Sequence, residues 1–237
     1  MPATPLAVLG FGFILGLRHA LDVDHLAAVS TIVSQRRSLW RSSLVGALWG
    51  LGHTAALLAA SVVVIGLHTE IPPRVSRGLE LGVALMLIGL GLNLLRTLWT
   101  GGTLHHHVHS HGSRPHVHPH LHGAHEVGRD GHHHVRTGRR PFVVGLVHGL
   151  AGSGALMLAV LATIPSPALA LVYVAIFGAG SIAGMVVMST LFGVPLALAG
   201  GRFARAELAL RLGAALGSLA VGLRLAWQLG VGAGGLV

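Results

Sequence analysis

The sequence predicts an all-α fold, a polytopic membrane protein of about six transmembrane helices arranged as two inverted three-helix repeats. Of its 237 residues, 52% are hydrophobic and only 10% are charged, whereas roughly a quarter of the residues in a soluble domain are charged. The mean hydropathy is +0.73, and several apolar stretches approach the about 20 residues that a helix needs to cross a bilayer. These values argue against a soluble globular fold.

Hydropathy predicts six spans. They are Leu6–Val33, Leu44–Leu67, Gly78–Trp99, Phe142–Ile164, Leu169–Leu198 and Leu208–Val231. The first and fifth are longer than a bilayer requires, which is typical of a tilted or broken helix. The first span also contains ionisable side chains that a lipid-facing helix would not carry. We therefore expect a polar feature inside it.

The arginines set the expected topology. The chain carries a formal net charge of +9, and ten arginines fall in alternate loops on one side: Arg36, Arg37, Arg41, Arg114, Arg129, Arg136, Arg139, Arg140, Arg202 and Arg205. The other side has only Arg74 and Arg77. The positive-inside rule then places the long middle loop in the cytoplasm and both termini outside. We expect the protein to lie in the bacterial cytoplasmic (inner) membrane, with the lipid bilayer as its partner. The positive charge reflects membrane topology, and we expect no binding to nucleic acid.

The two halves of the chain match at an offset of about 130 residues. The matching blocks are Gly16–Leu21 with Gly145–Leu150, Trp49–His53 with Phe177–Ser181, and Leu81–Leu92 with Leu212–Leu223. With three spans in each half, the second copy is inverted in the membrane, as in secondary transporters whose site lies near the midplane. The alternative is chance matching between helices rich in Gly and Leu. We assign residues 1–100 and 141–237 to the repeats and 101–140 to the loop between them.

This middle loop is rich in histidine. It holds 13 of the 18 histidines: His105, His106, His107, His109, His111, His116, His118, His120, His122, His125, His132, His133 and His134. A segment with so few apolar residues cannot build a core, so we expect it to be disordered. Imidazole suits first-row transition metals, which favours a metal-buffering or sensing arm. The alternative is a hydrophilic spacer.

The strongest chemical signal is the H-x4-D-H pattern of His19, Asp24 and His25 within the first span. The chain has no cysteine, so any metal site must use nitrogen and oxygen ligands. On a regular helix His19, Asp22 and His25 lie within about 120° of one another and Asp24 points away. All four converge only if the helix is unwound or faces a second polar wall. The structural alternative is a network in which Arg18 pairs with Asp22 at i,i+4.

Weaker candidates lie elsewhere in the spans. His53 has small neighbours that allow close helix approach, and His148 is the repeat counterpart of His19. We expect both to be metal ligands or to orient ligands, whereas a lone membrane histidine commonly bonds a neighbouring carbonyl. Arg18, Ser153, Ser181 and Asn93 are expected to support the site.

The blocks Arg18–Leu26 and Leu51–Thr54 resemble the signature of the nickel/cobalt transporter family. In that family the first block recognises Ni²⁺ or Co²⁺ within the membrane, so the resemblance implies this role for His19, Asp24 and His25, and Asp22 fits the same pattern. Long members have eight spans, so this chain is more similar to the short urease-accessory-type permeases and to the related short nickel/cobalt exporters. It departs from the long members at His148–Ser153, where their second acidic block has no carboxylate counterpart.

The resemblance implies transport of Ni²⁺ or Co²⁺ as substrate, with uptake favoured and with metallochaperones of nickel enzymes as cytoplasmic partners. Two alternatives stay open: a nickel/cobalt efflux protein, and a membrane metal-sensing or delivery scaffold that uses the His-rich loop. An intramembrane enzyme is not expected. A rhomboid-like Gly-x-Ser-Gly motif fails because position 151 is Ala, and the metalloprotease pattern H-E-x-x-H is absent.

Overall fold

The computed structural model describes residues 5–36, 38–67, 71–100, 104–111, 114–121, 139–151, 164, 166–199 and 204–231. This part of the chain forms seven helices and two strands. The helices are α1 Pro5–His19, α2 Val23–Val33, α3 Leu39–Leu67, α4 Pro73–Trp99, α5 Arg139–Leu150, α6 Pro167–Ala199 and α7 Ala204–Val231. The strands are β1 Leu104–His111 and β2 Arg114–Leu121.

Within the described ranges, five of the six predicted spans have counterparts. The helices α3, α4, α6 and α7 are each long and apolar enough to cross a membrane, and α1 with α2 forms a fifth candidate that bends by 56° at a break. Large apolar side chains such as Leu6 and Trp227 are exposed on the outside of the bundle, as lipid contact requires. The fourth predicted span is described only as α5 and at Ile164. The all-α membrane fold is confirmed.

The His-rich segment differs from its expected disorder. Strands β1 and β2 pair antiparallel, with Leu104 opposite Leu121 and Val108 opposite Val117. A local signal that composition does not weigh is the valine in the middle of each strand, because valine favours strands. Residues 122–138, which include the last five loop histidines, lie outside the described part of the chain.

The helices pack in a pattern that exchanging the two halves would leave unchanged. Helix α1 packs on α6 and α5 packs on α3, while α3 contacts α6 and α4 contacts α7. If α1 is exchanged with α5, α3 with α6 and α4 with α7, the contact of α1 with α6 becomes that of α5 with α3. The other two contacts stay the same. The inverted repeat stays a prediction, which this pattern supports.

Glycines bring these helices into backbone contact. A side chain at Gly16 of α1 would collide with the carbonyl oxygen of Phe177 on α6. A side chain at Gly145 of α5 would collide with the carbonyl oxygen of Trp49 on α3. Small residues at such crossings are typical of membrane helix packing, which depends on van der Waals contact. The close crossings bring the ends of α1 and α5 against the middle of α6 and α3.

Hydrogen bonds between helices hold the rest of the bundle. The hydroxyl of Thr31 on α2 donates to the carbonyl of Ala214 on α7 at 3.2 Å. The hydroxyl of Ser218 on α7 donates to the carbonyl of Leu87 on α4 at 2.8 Å. Because the bilayer core offers no water, such bonds satisfy buried hydroxyls and fix α2 against the outer pair α4 and α7.

Candidate metal centre

The site begins at the break in the first span. Helix α1 ends at His19, and the amide of Asp22 donates to the carbonyl of His19 at 3.0 Å. Asp22 then has extended backbone geometry, with φ −61° and ψ 145°, before α2 begins. The expected broken helix is therefore present, and it is the unwinding that convergence of the motif requires. Broken helices of this kind present free helix ends to ions in transporters.

Four histidine rings from α1, α2, α3 and α5 meet at this break. The ring centre of His25 lies 4.4 Å from that of His19, 5.3 Å from that of His53 and 4.2 Å from that of His148. The rings of His19 and His53 are 5.1 Å apart. His25, His53 and His148 are completely buried. The fold therefore brings together residues that lie up to 129 positions apart in the sequence.

Asp24 connects two of these rings. Its Oδ2 lies 2.9 Å from Nε2 of His148, and its Oδ1 lies 3.2 Å from Nδ1 of His25. Oδ1 also accepts the backbone amide of His25 at 2.9 Å. The negative carboxylate sits in the first turn of α2, where the helix dipole stabilises it. Asp24 thus places one negative charge inside the ring cluster.

Asp22 has a different position. Its side chain is 55% exposed, compared with 34% for Asp24, and its Oδ2 lies 2.7 Å from Nδ1 of His19. A carboxylate that accepts the Nδ1 proton leaves Nε2 of the same ring as a lone-pair donor, the common arrangement behind metal-binding histidines. A regular helix would have placed Asp22 with the histidines and Asp24 away from them. The break reverses this order.

Several ring nitrogens in the cluster are buried with no hydrogen-bond partner among the described residues. They are Nε2 of His19, Nε2 of His25, Nδ1 of His148 and both nitrogens of His53. Each unsatisfied buried polar group costs about 1–3 kcal/mol. A cation bound by these nitrogens would satisfy them, so the arrangement favours a metal ligand set over a hydrogen-bonded structural network.

The ligand atoms form two overlapping groups. His19, His25 and His53 form one, and Asp24, His25 and His148 form the other, with one ligand atom per residue and all within 4.8 Å in each group. A nitrogen bound at about 2.1 Å puts the ring centre about 3.2 Å from the ion, so adjacent ligands at 90° have ring centres about 4.5 Å apart. The first group, with separations of 4.4–5.3 Å, is close to this arrangement.

Two aromatic residues that the motifs did not indicate border the cluster. The Trp49 ring stacks on His25, with centres 5.4 Å apart and planes at 21°, and lies 5.7 Å from His148. The Phe177 ring lies 5.6 Å from His19. The available signal was spacing, because Trp49 precedes His53 by one helical turn and Phe177 is its counterpart in the predicted repeat.

Of the four residues expected to support the site, the three that the structure describes form no hydrogen bond or ring contact with the histidine rings. Arg18 is exposed and has no ion pair with Asp22 or Asp24 within the described part of the chain. Ser181 is buried on α6 one turn after Phe177. Asn93 is exposed on α4. Ser153 lies outside the described residues.

Comparisons with known proteins identify the family. The family model for high-affinity nickel-transport proteins (NicO) matches residues 6–210. The urease accessory protein UreH of Bacillus sp. (strain TB-90) is 38% identical over 194 residues, which cover 81% of this chain and 79% of UreH. The high-affinity nickel transport protein of Cupriavidus necator is 36% identical over 77 residues, 32% of this chain and 21% of that protein. No solved structure matches the chain significantly.

The resemblance inferred from the motifs is thereby confirmed, including the similarity to the urease-accessory type. The match extends across both halves and includes every residue of the ring cluster. With the apolar spans, it makes the chain an integral membrane protein and a transporter instead of an enzyme. The chain belongs to the high-affinity nickel-transport protein family, and its function is nickel transport.

Proposed function

We propose that the chain takes up Ni²⁺, or Co²⁺, through a midplane site formed by His19, Asp24, His25, His53 and His148, called here the His/Asp centre. The observation that carries this proposal is the set of unpartnered, buried ring nitrogens that four helices bring together. Asp22 orients His19 from the exposed side. Access to the centre alternates between the two sides of the membrane as the two halves move against each other.

The ligand chemistry suits a nickel cargo. Imidazole binds Ni²⁺ well, and the carboxylate of Asp24 offsets part of the cost of bringing a divalent cation into a low-dielectric region. The position is also suitable. Helices α1 and α5 contain 15 and 12 residues and end at the centre, and a helix rises about 1.5 Å per residue. Lengths of about 22 and 18 Å reach the middle of a hydrocarbon core about 30 Å thick.

The direction of transport is part of the proposal. Uptake would deliver nickel to the cytoplasmic side, where the Arg-rich loops and the His-rich segment 101–140 are expected from the positive-inside rule. The histidines of this segment would buffer arriving ions and pass them to cytoplasmic metallochaperones of nickel enzymes. Both termini lie outside, and the membrane is the bacterial cytoplasmic membrane.

The test is nickel uptake by cells that express the chain, compared with His53→Ala, His19→Ala and empty vector. Asn93→Ala is the matched control, because Asn93 is a polar residue within a span but exposed on α4. We expect accumulation to fall to the vector level in both histidine variants and to stay normal in the control. Normal uptake in both histidine variants, with the proteins inserted in the membrane, would contradict the proposal.

The same assay decides the direction. Uptake predicts accumulation above the vector and increased sensitivity to toxic nickel. Lowered accumulation together with nickel resistance would instead identify an exporter that uses the same centre. A metal-delivery scaffold predicts that vesicles containing only the purified protein do not accumulate nickel, so uptake by such vesicles would exclude that alternative.

A further inference from the structure

Two stripes of buried side chains run along α3 and α6. Each contains one residue per turn, at intervals of four. On α3 they are Val45, Trp49, His53, Leu57 and Ser61, and on α6 they are Tyr173, Phe177, Ser181, Met185 and Ser189. All ten are buried, and each α3 residue is the counterpart of an α6 residue at an offset of 128.

These stripes hold a distinct group of unpartnered polar atoms. Apart from the histidines of the centre and two arginines, the described residues contain five buried side-chain atoms without a hydrogen-bond partner: Trp49 Nε1, Ser61 Oγ, Tyr173 OH, Ser181 Oγ and Ser189 Oγ. All five lie on the stripes. Because unsatisfied polar groups are costly in a membrane interior, their restriction to two of the described helices calls for a functional cause.

Other buried hydroxyls in the bundle are satisfied. Ser42 at the start of α3 donates to the carbonyl of Ser38 at 3.1 Å, and Ser218 of α7 donates to that of Leu87 at 2.8 Å. Thr54, which follows His53 on α3, donates to the carbonyl of Gly178 at 3.3 Å. Burial alone therefore does not leave a hydroxyl unpartnered in this fold.

The depths of the five atoms follow from how α3 and α6 cross. Gly46 faces the backbone of Met185, and Thr54 faces Gly178, so the two helices run antiparallel. Ser61 and Tyr173 consequently lie toward one end of the seam and Ser189 toward the other. His53 and Ser181 lie between them, at the depth of the centre.

The two aromatic rings occupy matching positions on this line. Phe177 lies between the centre and the end marked by Ser61, and its ring contacts His19. Trp49 lies between the centre and the end marked by Ser189, and its ring contacts His25 and His148. The two rings therefore lie on opposite sides of the centre along the seam between α3 and α6.

We propose that nickel crosses the membrane along these two stripes and that Phe177 and Trp49 are the outer and inner gates on either side of the His/Asp centre. The hydroxyls and ring faces offer weak, replaceable contacts to a hydrated cation, which transport through successive positions requires. Because the gates are counterparts in the predicted repeat, exchange of conformation between the halves opens one as it closes the other. This inference rests on the proposed function of the centre.

The natural absence of cysteine makes the path directly testable. Ser61→Cys and Ser189→Cys are made separately, with Ser42→Cys and Ser218→Cys as buried controls that lie off the stripes. Ser42 is the closest match to Ser189 in depth, because both lie near Gly46 and Gly193. A membrane-impermeant methanethiosulfonate is applied to right-side-out and inside-out vesicles.

We expect Ser61→Cys to react only from outside and Ser189→Cys only from the cytoplasmic side, with neither control reacting. Reaction no faster than the controls, or reaction of both variants from one side, would overturn the path.

The gates are tested by adding Trp49→Ala or Phe177→Ala to Ser181→Cys. Trp49→Ala should increase labelling from the cytoplasmic side and Phe177→Ala from outside, whereas Trp49→Phe should leave the rate nearly unchanged. Equal effects on both sides would overturn the gate assignment.

The path and the centre can fail separately. If histidine variants lose uptake but the stripe cysteines do not react, the centre stands and the path is wrong. If the stripe cysteines react from opposite sides but His53→Ala transports nickel normally, the path stands and the proposed centre is wrong.

Discussion

The two halves of the molecule share a backbone arrangement but not a set of ligands. Gly52 of α3 leaves room for the carbonyl oxygen of Phe142 on α5, and Gly180 of α6 leaves room for that of Phe13 on α1. These four residues pair as counterparts in the predicted repeat. The same close crossing is therefore made twice, once between α3 and α5 and once between α6 and α1.

The side chains at the centre are distributed unequally. The first half supplies His19, Asp24, His25 and His53, whereas the second supplies only His148 from the residues described. Ser181 occupies the position that corresponds to His53. The two halves therefore share their helix crossings but not their ligand side chains. In the proposed alternating-access mechanism two similar halves exchange conformations, whereas a bound cation needs one set of donors with a suitable charge.

The largest expected effect comes from His25, because this residue belongs to both ligand groups. His25→Ala removes a ligand from each group, so we expect loss of measurable nickel binding. Calorimetric titration of the purified protein with nickel measures this directly. Asn93→Ala should bind normally, and normal binding by a folded His25→Ala protein would contradict the shared-ligand arrangement.

The next effect compares a pair of counterparts. His53→Ser gives the first half the residue that the second half carries at position 181, and it removes one imidazole from the first ligand group. We expect a loss of nickel affinity of about tenfold or more, as ligand-shell changes commonly cause. Ser181→Ala should leave affinity within a factor of about two. Equal losses in the two variants would show that the halves contribute equally.

The two acids of the motif give a further contrast within the centre. Asp22 is expected to orient His19, so Asp22→Asn should weaken nickel binding by about 10–100-fold while saturable binding remains. Asp24→Asn removes the only carboxylate in either ligand group and should weaken binding more. Titrations at one pH compare the two. A larger loss in Asp22→Asn would reverse their assigned roles.

The sequence indicated which histidines meet at this centre better than how the two acids are placed around them. H-x4-D-H, His53 and His148 were available from motif and repeat, and all of their histidines meet in the structure. The roles of Asp22 and Asp24 were not available, because they depend on where the helix unwinds. Helical periodicity assumes a continuous helix, and the break after His19 shifts every later residue to another face.

Other differences have local causes. Trp49 and Phe177 resemble ordinary core residues in a membrane sequence, since nearly every neighbour is apolar; spacing from His53 was a weak signal, and the ring contacts in the structure distinguish them. The pairing of β1 with β2 was not available from composition, which favours disorder for this segment. Five of the six predicted spans, in contrast, have counterparts among the described residues, because lipid contact constrains every exposed face and hydropathy detects that constraint.

A stability prediction sharpens the comparison of backbones. Gly16→Ala and Gly145→Ala each put a methyl group against a carbonyl oxygen of the opposite half, and overpacking of this kind costs about 1–3 kcal/mol. We expect thermal denaturation in detergent to show similar decreases in Tm for both. Gly82→Ala is the control, because a Cβ there contacts nothing within 4 Å, and helix propensity should make it neutral or slightly stabilising. A decrease at only one of the two sites would count against the repeat.

The smallest effect on transport is expected from the loop between the halves. None of its histidines belongs to either ligand group of the described residues, so replacing all 13 with serine leaves the centre and the close crossings intact. We expect initial uptake by vesicles to stay near the unmodified rate. Growth of cells in toxic nickel should become more sensitive, because fewer cytoplasmic imidazoles would buffer the imported ion. If the serine variant instead lost uptake by vesicles, the essential ligands would be loop histidines outside the membrane. The unequal ligand content of the two halves would then have no role in transport.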